Sequence, residues 1–268
     1  MARRALLVGI NRYPDPENTL HGCLNDVRQV CDLLQAHFGF PGNGDVRLLT
    51  DRRATTSAIV SGLQWLLDGA AAGDVLVFHY SGHGSQVPDI HGDEDDGLDE
   101  IICPYDLDWA HPLTDDDLYA IVGGLPSGVN LTVILDSCHS GTGLRDGNDA
   151  RRRRGRCLHP PARMRRRLRT DMTVRRFGAK AAATGAILIA GCRSDQSSAD
   201  ADIAGEFHGA LTFYLCRAIE ELRHAGTYRE TVAGTRRLLA ENGYEQVPQL
   251  EGADSVLNGR IFAPIAAK

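Results

Sequence analysis

The sequence predicts an α/β fold on a mostly parallel sheet covered by helices on both faces. Two features predict it. Short apolar runs alternate along the chain with helix-period stretches, and two of those runs stop abruptly in clusters of Ser, Gly, His and Cys. That is the pattern of strands leaving the carboxyl edge of a parallel sheet.

Taken in order, the runs are ALLVGI (5–10), VRLLT (46–50), DVLVFHY (74–80), LTVILD (131–136) and AILIAG (186–191). Each is short and rich in β-branched residues or Leu, as buried strands are. Between the first two, NDVRQVCDLLQAHF places Val27, Val30, Cys31, Leu34 and Phe38 on one helical face; SAIVSGLQWLLDGA repeats the pattern with Ile59, Leu63, Leu66 and Leu67. Two further helices are expected in GALTFYLCRAIEEL and ETVAGTRRLLAEN, and a last strand near NGRIF.

At 268 residues and 43% hydrophobic content, the chain can bury a core of its own, and a single domain over 1–268 is expected. Residues 151–180 hold 13 Arg or Lys against one Asp, so an otherwise acidic body carries one strongly basic segment. The stretch 145–180 has no sustained apolar period and contains Pro160 and Pro161. It reads as an Arg-rich flexible linker dividing a larger part, 1–144, from a smaller one, 181–268.

Seven cysteines without paired spacing suit reduced thiols in a cytoplasmic setting. The start, MARRALLVGINRYP, offers only six apolar or Gly residues after its arginines, too few for a secretory segment or a membrane span. No membrane association is expected.

The chemistry-bearing residues sit at the two strand exits. DVLVFHYSGHGSQ delivers His83 and LTVILDSCHSG delivers Cys138, both to the same sheet edge. A thiol beside an imidazole can lose its proton as attack begins, so Cys138 and His83 are candidate nucleophile and base. The glycines around His83 leave backbone amides free to hold an oxyanion. Asp136, two residues before Cys138, favours a cationic substrate side chain, and Arg gains a bidentate pair there. Residues 86–117 hold 12 Asp or Glu and no Lys or Arg, a composition suited to a hard cation such as calcium. It does not align with an EF-hand loop.

These residues resemble a known family. HYSGHGSQ and ILDSCHSG are similar to the histidine and cysteine blocks of caspase-like cysteine peptidases, in the form found in metacaspases and their prokaryotic relatives. ALLVGINRY, GCLNDV, GDEDDGLDEIICPYD, GCRSDQSSAD and FHGALTFYL match as well, so the resemblance spans nearly the whole chain. It implies the caspase-like fold, a His83–Cys138 dyad, and an oxyanion hole from the amides near Gly84 and Cys138. It further implies an acidic pocket of Cys23, Asp26, Ser81 and Asp136, and cleavage of protein or peptide substrates after Arg or Lys. A calcium site would carry over to Asp99, Asp115 and Asp116. Its fourth carboxylate falls on Arg145, with Asp146 beside it. Calcium is then an activator and not a catalytic ion, and a monomer is expected.

An Arg-selective pocket in a chain with an Arg-dense linker leads to one more expectation: self-cleavage in that linker, at arginines among Arg151, Arg154, Arg156, Arg163, Arg167, Arg169 and Arg176.

Other classes are disfavoured. The runs RRRRGR and RMRRRLR could bind phosphates, but no aromatic residue interleaves them for base stacking. GTGLRD lacks the third glycine of a dinucleotide fingerprint. A zinc site from Cys138, His139, His79 and His83 would need adjacent residues to share one metal. Arg193 in GCRSD would favour an acidic substrate if it faced the pocket. A scaffold without turnover, binding acidic partners or nucleic acid through its linker, is the alternative that intact His83 and Cys138 argue against.

Overall fold

A computed structural model describes residues 1–42, 44–88, 98–138, 153–162, 185–193 and 196–265. In chain order, β1 (Arg3–Gly9) leads to α1 (Cys23–Phe38), β2 (Val46–Thr50), α2 (Thr56–Leu67) and β3 (Val75–Ser81). Then come β4 (Gly84–Pro88), β5 (Leu98–Ile102), β6 (Leu113–Thr114), α3 (Asp115–Val122) and β7 (Asn130–Asp136). The remainder is β8 (Arg153–Gly155), β9 (Ile187–Ala190), β10 (Ala199–Ile203), β11 (Glu206–Gly209), α4 (Ala210–Glu221), α5 (Tyr228–Glu241), β12 (Gln249–Glu251) and α6 (Asp254–Leu257).

The main sheet has the order β12-β9-β7-β3-β1-β2. All its pairings are parallel except that of β12 with β9. Its central strands are buried on both faces, which is why they read as continuous apolar runs. Leu6, Val8, Leu76 and Phe78 pack with Ile59, Leu63 and Leu66 of α2 and Leu118 of α3. The alternate residues Ala5, Leu7, Val75 and Val77 pack with Val27, Val30 and Leu34 of α1, Leu211 and Leu215 of α4, and Val232 of α5. The sheet is therefore the middle layer of three.

Local signals explain where the helices begin and end. Thr55 caps α2 by accepting from the Ala58 amide, and Thr114 with Asp117 and Thr227 with Glu230 form capping boxes at α3 and α5. Gly39, with φ +68°, ends α1. Gly9 matters for the site: a Cβ there would come within 2.7 Å of the Cys23 carbonyl, so its absence lets the first turn of α1 sit directly on the end of β1.

Two expectations differ. NGRIF contributes only an isolated bridge, Thr227 with Arg260, and the last strand is β12. Inside the stretch read as a flexible linker, residues 153–155 form strand β8, which pairs with β10. Two small antiparallel sheets, β4-β5-β6 and β11-β10-β8, were not foreseen. Their strands are short and carry Asp, Glu, Gln and Arg at positions that an apolar-run search skips. No helix among the described residues is long and apolar enough to cross a membrane.

Candidate active site

Parallel pairing of β3 with β7 puts Ser81 opposite Asp136. His83 and Cys138 each lie two residues beyond that pair, at the carboxyl edge of the sheet. The His83 amide donates to the Tyr13 hydroxyl at 2.8 Å, and the Tyr13 ring tilts against the imidazole at 4.8 Å between centroids. The imidazole Nε2 is 2.8 Å from the Asn18 carbonyl. A carbonyl only accepts, so Nε2 carries the hydrogen and Nδ1 keeps the lone pair. Nδ1 is buried and has no hydrogen-bond partner among the described residues. Burial lowers the His83 pKa to about 4, opposed by the Asn18 contact and assisted by the Arg154 and Arg156 cations. The ring is neutral at physiological pH, as a base must be.

Cys138 is fully buried. Its Sγ receives the Ser198 amide and lies 3.3 Å from Ser197 Oγ and 3.2 Å from the Ser198 carbonyl. Burial works against the thiolate, but hydrogen bonds from Cys192, Ser197 and the Ser198 amide outweigh it and bring the Cys138 pKa below its ordinary value. Among the described residues no hydrogen bond joins Cys138 to His83. Their common point is instead a carbonyl of this same chain. The amides of Gly84 and Cys138 both donate to the Arg156 oxygen, at 2.9 and 3.1 Å. Two amides converging on one carbonyl oxygen at these distances have the form of an oxyanion hole.

The side chain of Arg156 fills the acidic pocket and is completely buried. Its guanidinium meets Ser81 Oγ at 2.7 Å, Asp26 at 2.8 Å, Asp200 at 3.0 Å and the Asp136 carboxylate at 3.3 Å. Each carboxylate is itself held. Asp26 accepts from the Ser81 hydroxyl and the Gly209 amide, and Asp136 from the Ser198 hydroxyl and from the amide and hydroxyl of Thr212. Asp200 accepts from the amides of His21 and Gly22. Burial would push Asp26 up, but Arg156, His208 and Ser81 keep it below the usual carboxylate range; at Asp136 burial prevails over Arg156 and the pKa rises. Cys23, buried at the start of α1, has its pKa raised by burial. Its amide donates to Asn11 Oδ1, just past the end of β1.

Of the other sequence-predicted residues, Arg154 is exposed and donates to the Thr19 carbonyl at 2.9 Å and to the Glu17 carbonyl. Arg193 is exposed and turned to Gln196, whose Oε1 is 3.3 Å from its amide. Asp99 on β5 and Asp115 at the start of α3 are buried, in elements tied together by the Ile101–Thr114 pairing, and Asp116 is half-buried. Among the described residues no three His, Cys, Asp or Glu side chains gather closely enough to hold a metal ion. Asp99, Asp115 and Asp116 offer hard oxygen donors of the right kind for calcium but need a further donor. His79, considered for zinc, is 3.1 Å from the Thr212 hydroxyl. Asp146, Arg145, His139, Arg151, Arg163, Arg167, Arg169 and Arg176 lie outside the described residues.

Three pocket residues escaped the sequence reading. Asp200 stands in ADADI, where an acidic residue alternating with buried Ala in a strand is the signal that could have found it. Gly209 sits where a Cβ would collide with the Asp136 carboxylate and the Arg156 guanidinium, so a side chain there would fill the pocket. Ser198, whose amide meets Cys138 and whose hydroxyl meets Asp136, joins the thiol to the pocket.

A family model described as "Metacaspase, peptidase C14 domain" matches residues 3–146. The chain is similar to Metacaspase-1 of Scheffersomyces stipitis, at 35% identity over 92% of this chain and 70% of that protein. It is similar to Metacaspase-1 of Pyricularia oryzae at 35% identity, over 92% of this chain and 71% of that one. Among solved structures, a Geobacter sulfurreducens protein superposes with a TM-score of 0.71 at 27% identity, covering 99% of this chain and 100% of that chain.

Proposed function

This chain belongs to the metacaspase family and is a cysteine peptidase, and we propose that it is an endopeptidase cutting after Arg or Lys that holds, and then cuts, its own Arg156–Cys157 bond. The observation that carries the reading is Arg156 itself. Its carbonyl oxygen takes the Gly84 and Cys138 amides while its guanidinium takes Asp26, Asp136 and Asp200. A substrate arginine would make the same contacts. Lys would reach the carboxylates as a point charge but lose the forked pairing, so Arg is the better substrate.

In this reading Cys138 and His83 divide the chemistry between them. His83 Nδ1 takes the proton of the Cys138 thiol as Sγ bonds to the arginine carbonyl carbon. The oxygen becomes an oxyanion held by the Gly84 and Cys138 amides. Breaking the C–N bond returns the proton from His83 to the leaving amine. Water, deprotonated by His83, then hydrolyses the thioester and restores the thiol. Until the first cut, the bound segment blocks outside substrates. After it, β9 still has β7 and β12 as hydrogen-bonded neighbours, so the two pieces remain one body.

Calcium enters this reading as an activator. Asp99, Asp115 and Asp116, with Asp146 as the further donor, would hold it, and it would supply positive charge that relieves repulsion in the acidic segment following His83. Paired peptides ending in Arg, Lys or Asp, each hydrolysed with calcium and with chelator, test the whole reading. Arg-ended peptides are expected to be fastest, and faster with calcium. Faster cleavage of Asp-ended peptides would overturn the specificity, and equal rates in chelator would remove calcium.

A further inference from the structure

The segment in the cleft carries information beyond Arg156. Residues 153–155 run antiparallel to β10, with Gly155 opposite Ala199, Arg154 opposite Asp200 and Arg153 opposite Ala201. The Arg156 amide extends the ladder to the Ser198 carbonyl at 3.1 Å. A chain laid along β10 therefore has its side chains placed in alternation. Those of Arg154 and Arg156 go to the loop before α1 and to the pocket. That of Arg153 goes the other way, to the end of α5.

What Arg153 meets there is a second receptor for a cation. Its guanidinium lies over the Tyr244 ring, 4.3 Å from the centroid. It donates to the Gly243 carbonyl at 2.8 Å and to the Asn242 carbonyl at 3.4 Å. Asn242 caps the C-terminus of α5, where the helix dipole adds negative potential. The receptor is also firmly built. The Tyr244 amide bonds back to the Leu239 carbonyl at 3.0 Å, Tyr214 packs edge-on against the Tyr244 ring at 5.6 Å, and Gly243 takes a positive φ of 74° that turns its carbonyl outward. An aromatic face, two backbone acceptors and a helix C-terminus together select a planar cation that can stack and donate at once, which is arginine.

We infer that Tyr244, with the Asn242 and Gly243 carbonyls, forms a specificity subsite for an arginine side chain four residues before the cut, so that the enzyme's preferred substrates carry Arg at both the first and the fourth position. The inference rests on the reading of residues 153–156 as a bound substrate segment. It adds a substrate class: proteins with arginines spaced as in Arg-X-Gly-Arg. Arg154, at the third position, is exposed and contributes less.

The subsite is tested by binding, independently of turnover. Full-length protein carrying Cys138→Ala, Arg153→Ala and Arg156→Ala leaves the acidic pocket and the Tyr244 receptor free of the chain's own arginines and the cleft chemically inert. Fluorescein-labelled peptides Arg-Arg-Gly-Arg and Ala-Arg-Gly-Arg are then titrated by anisotropy. The Arg-Arg-Gly-Arg peptide is expected to bind roughly fivefold or more tightly than its Ala partner. Adding Tyr244→Phe, which keeps the ring, preserves the ratio, whereas Tyr244→Ala brings it toward one with little change for the Ala peptide. Equal affinity for the two peptides, a ratio insensitive to Tyr244→Ala, or binding of neither peptide overturns the subsite. If the fourth-position preference holds but the wild-type chain fails to cut Arg-ended peptides, the peptidase specificity fails and the subsite stands.

Discussion

Replacing Arg156 with Ala separates the pocket from the chain's own occupant, and the size of the effect follows from its contacts. The guanidinium sits among three buried carboxylates at 2.8, 3.0 and 3.3 Å and accounts for the buried positive charge opposing them. Losing one partner of a buried ion pair costs about 3–5 kcal/mol when the remaining charge stays buried. Here the segment can instead leave, letting water reach Asp26, Asp136 and Asp200. The loss then appears as a shift in the docking equilibrium of residues 153–158 of about 10²- to 10³-fold. A competing ligand binds only the open fraction, so its apparent affinity rises as that fraction rises. In Cys138→Ala protein, a blocked Arg-ended peptide titrated by calorimetry is expected to bind about 10²-fold more tightly once Arg156→Ala is added. Arg154→Ala, at an exposed side chain, should change it by less than about threefold. Unchanged affinity on Arg156→Ala, with the thermal transition intact, would show that the docked segment does not govern access to the pocket.

Other consequences are as direct. Gly209→Ala places a methyl group against Asp136 and the bound guanidinium, and should lower kcat/KM for Arg-ended peptides roughly tenfold to a hundredfold with the far-ultraviolet spectrum unchanged. His79 and His83 are both held neutral by burial, with pKa values of about 4 against an ordinary 6.5. The unfolded chain therefore binds protons that the folded chain refuses, and stability present above pH 6.5 is lost as the pH falls toward 4, by up to roughly 1.4 kcal/mol per pH unit for each histidine. Asp26 adds loss at lower pH and Asp136, whose pKa is raised, opposes it. Urea midpoints of Cys138→Ala protein between pH 7 and 4.5 measure the slope, and a flat profile would contradict it. Asp99→Ala should raise the calcium concentration needed for half-stimulation at least about tenfold, read both in peptide hydrolysis and in calcium titration by calorimetry.

The centre of the sheet was legible because its central strands are buried on both faces, and a strand in that position is mostly apolar. His83 and Cys138 were legible as neighbours for a related reason: each lies two residues past such a strand, and parallel pairing of β3 with β7 brings the strand ends together without help from the rest of the fold. Asp136 followed from its nearness to one of those ends, and Asp26 from the family resemblance alone. Asp200, on β10, and Ser198, just before it, were not legible because β10 is a short mixed strand in a separate sheet, paired on one side with a segment read as flexible linker. Arg156 was one arginine among many in that segment. Nothing local distinguishes it, since its role is set by a register of four residues against β10 and by the two amides that meet its carbonyl. Tyr244 was passed over for the same reason, as an isolated aromatic after a helix whose function depends on what lies across from it.

In the proposed reaction Cys138 and His83 act on an arginine held in the acidic pocket, and the first such arginine is Arg156. Intact-mass spectrometry of the full chain after calcium addition, followed by identification of the new N-terminus, tests it most directly. A single primary cut is expected, giving fragments 1–156 and 157–268, the second beginning at Cys157, that co-elute in size exclusion. The Cys138→Ala chain stays whole under the same conditions. An uncut wild-type chain that hydrolyses Arg-ended peptides at full rate, or a Cys138→Ala chain nicked at the same bond, would contradict it.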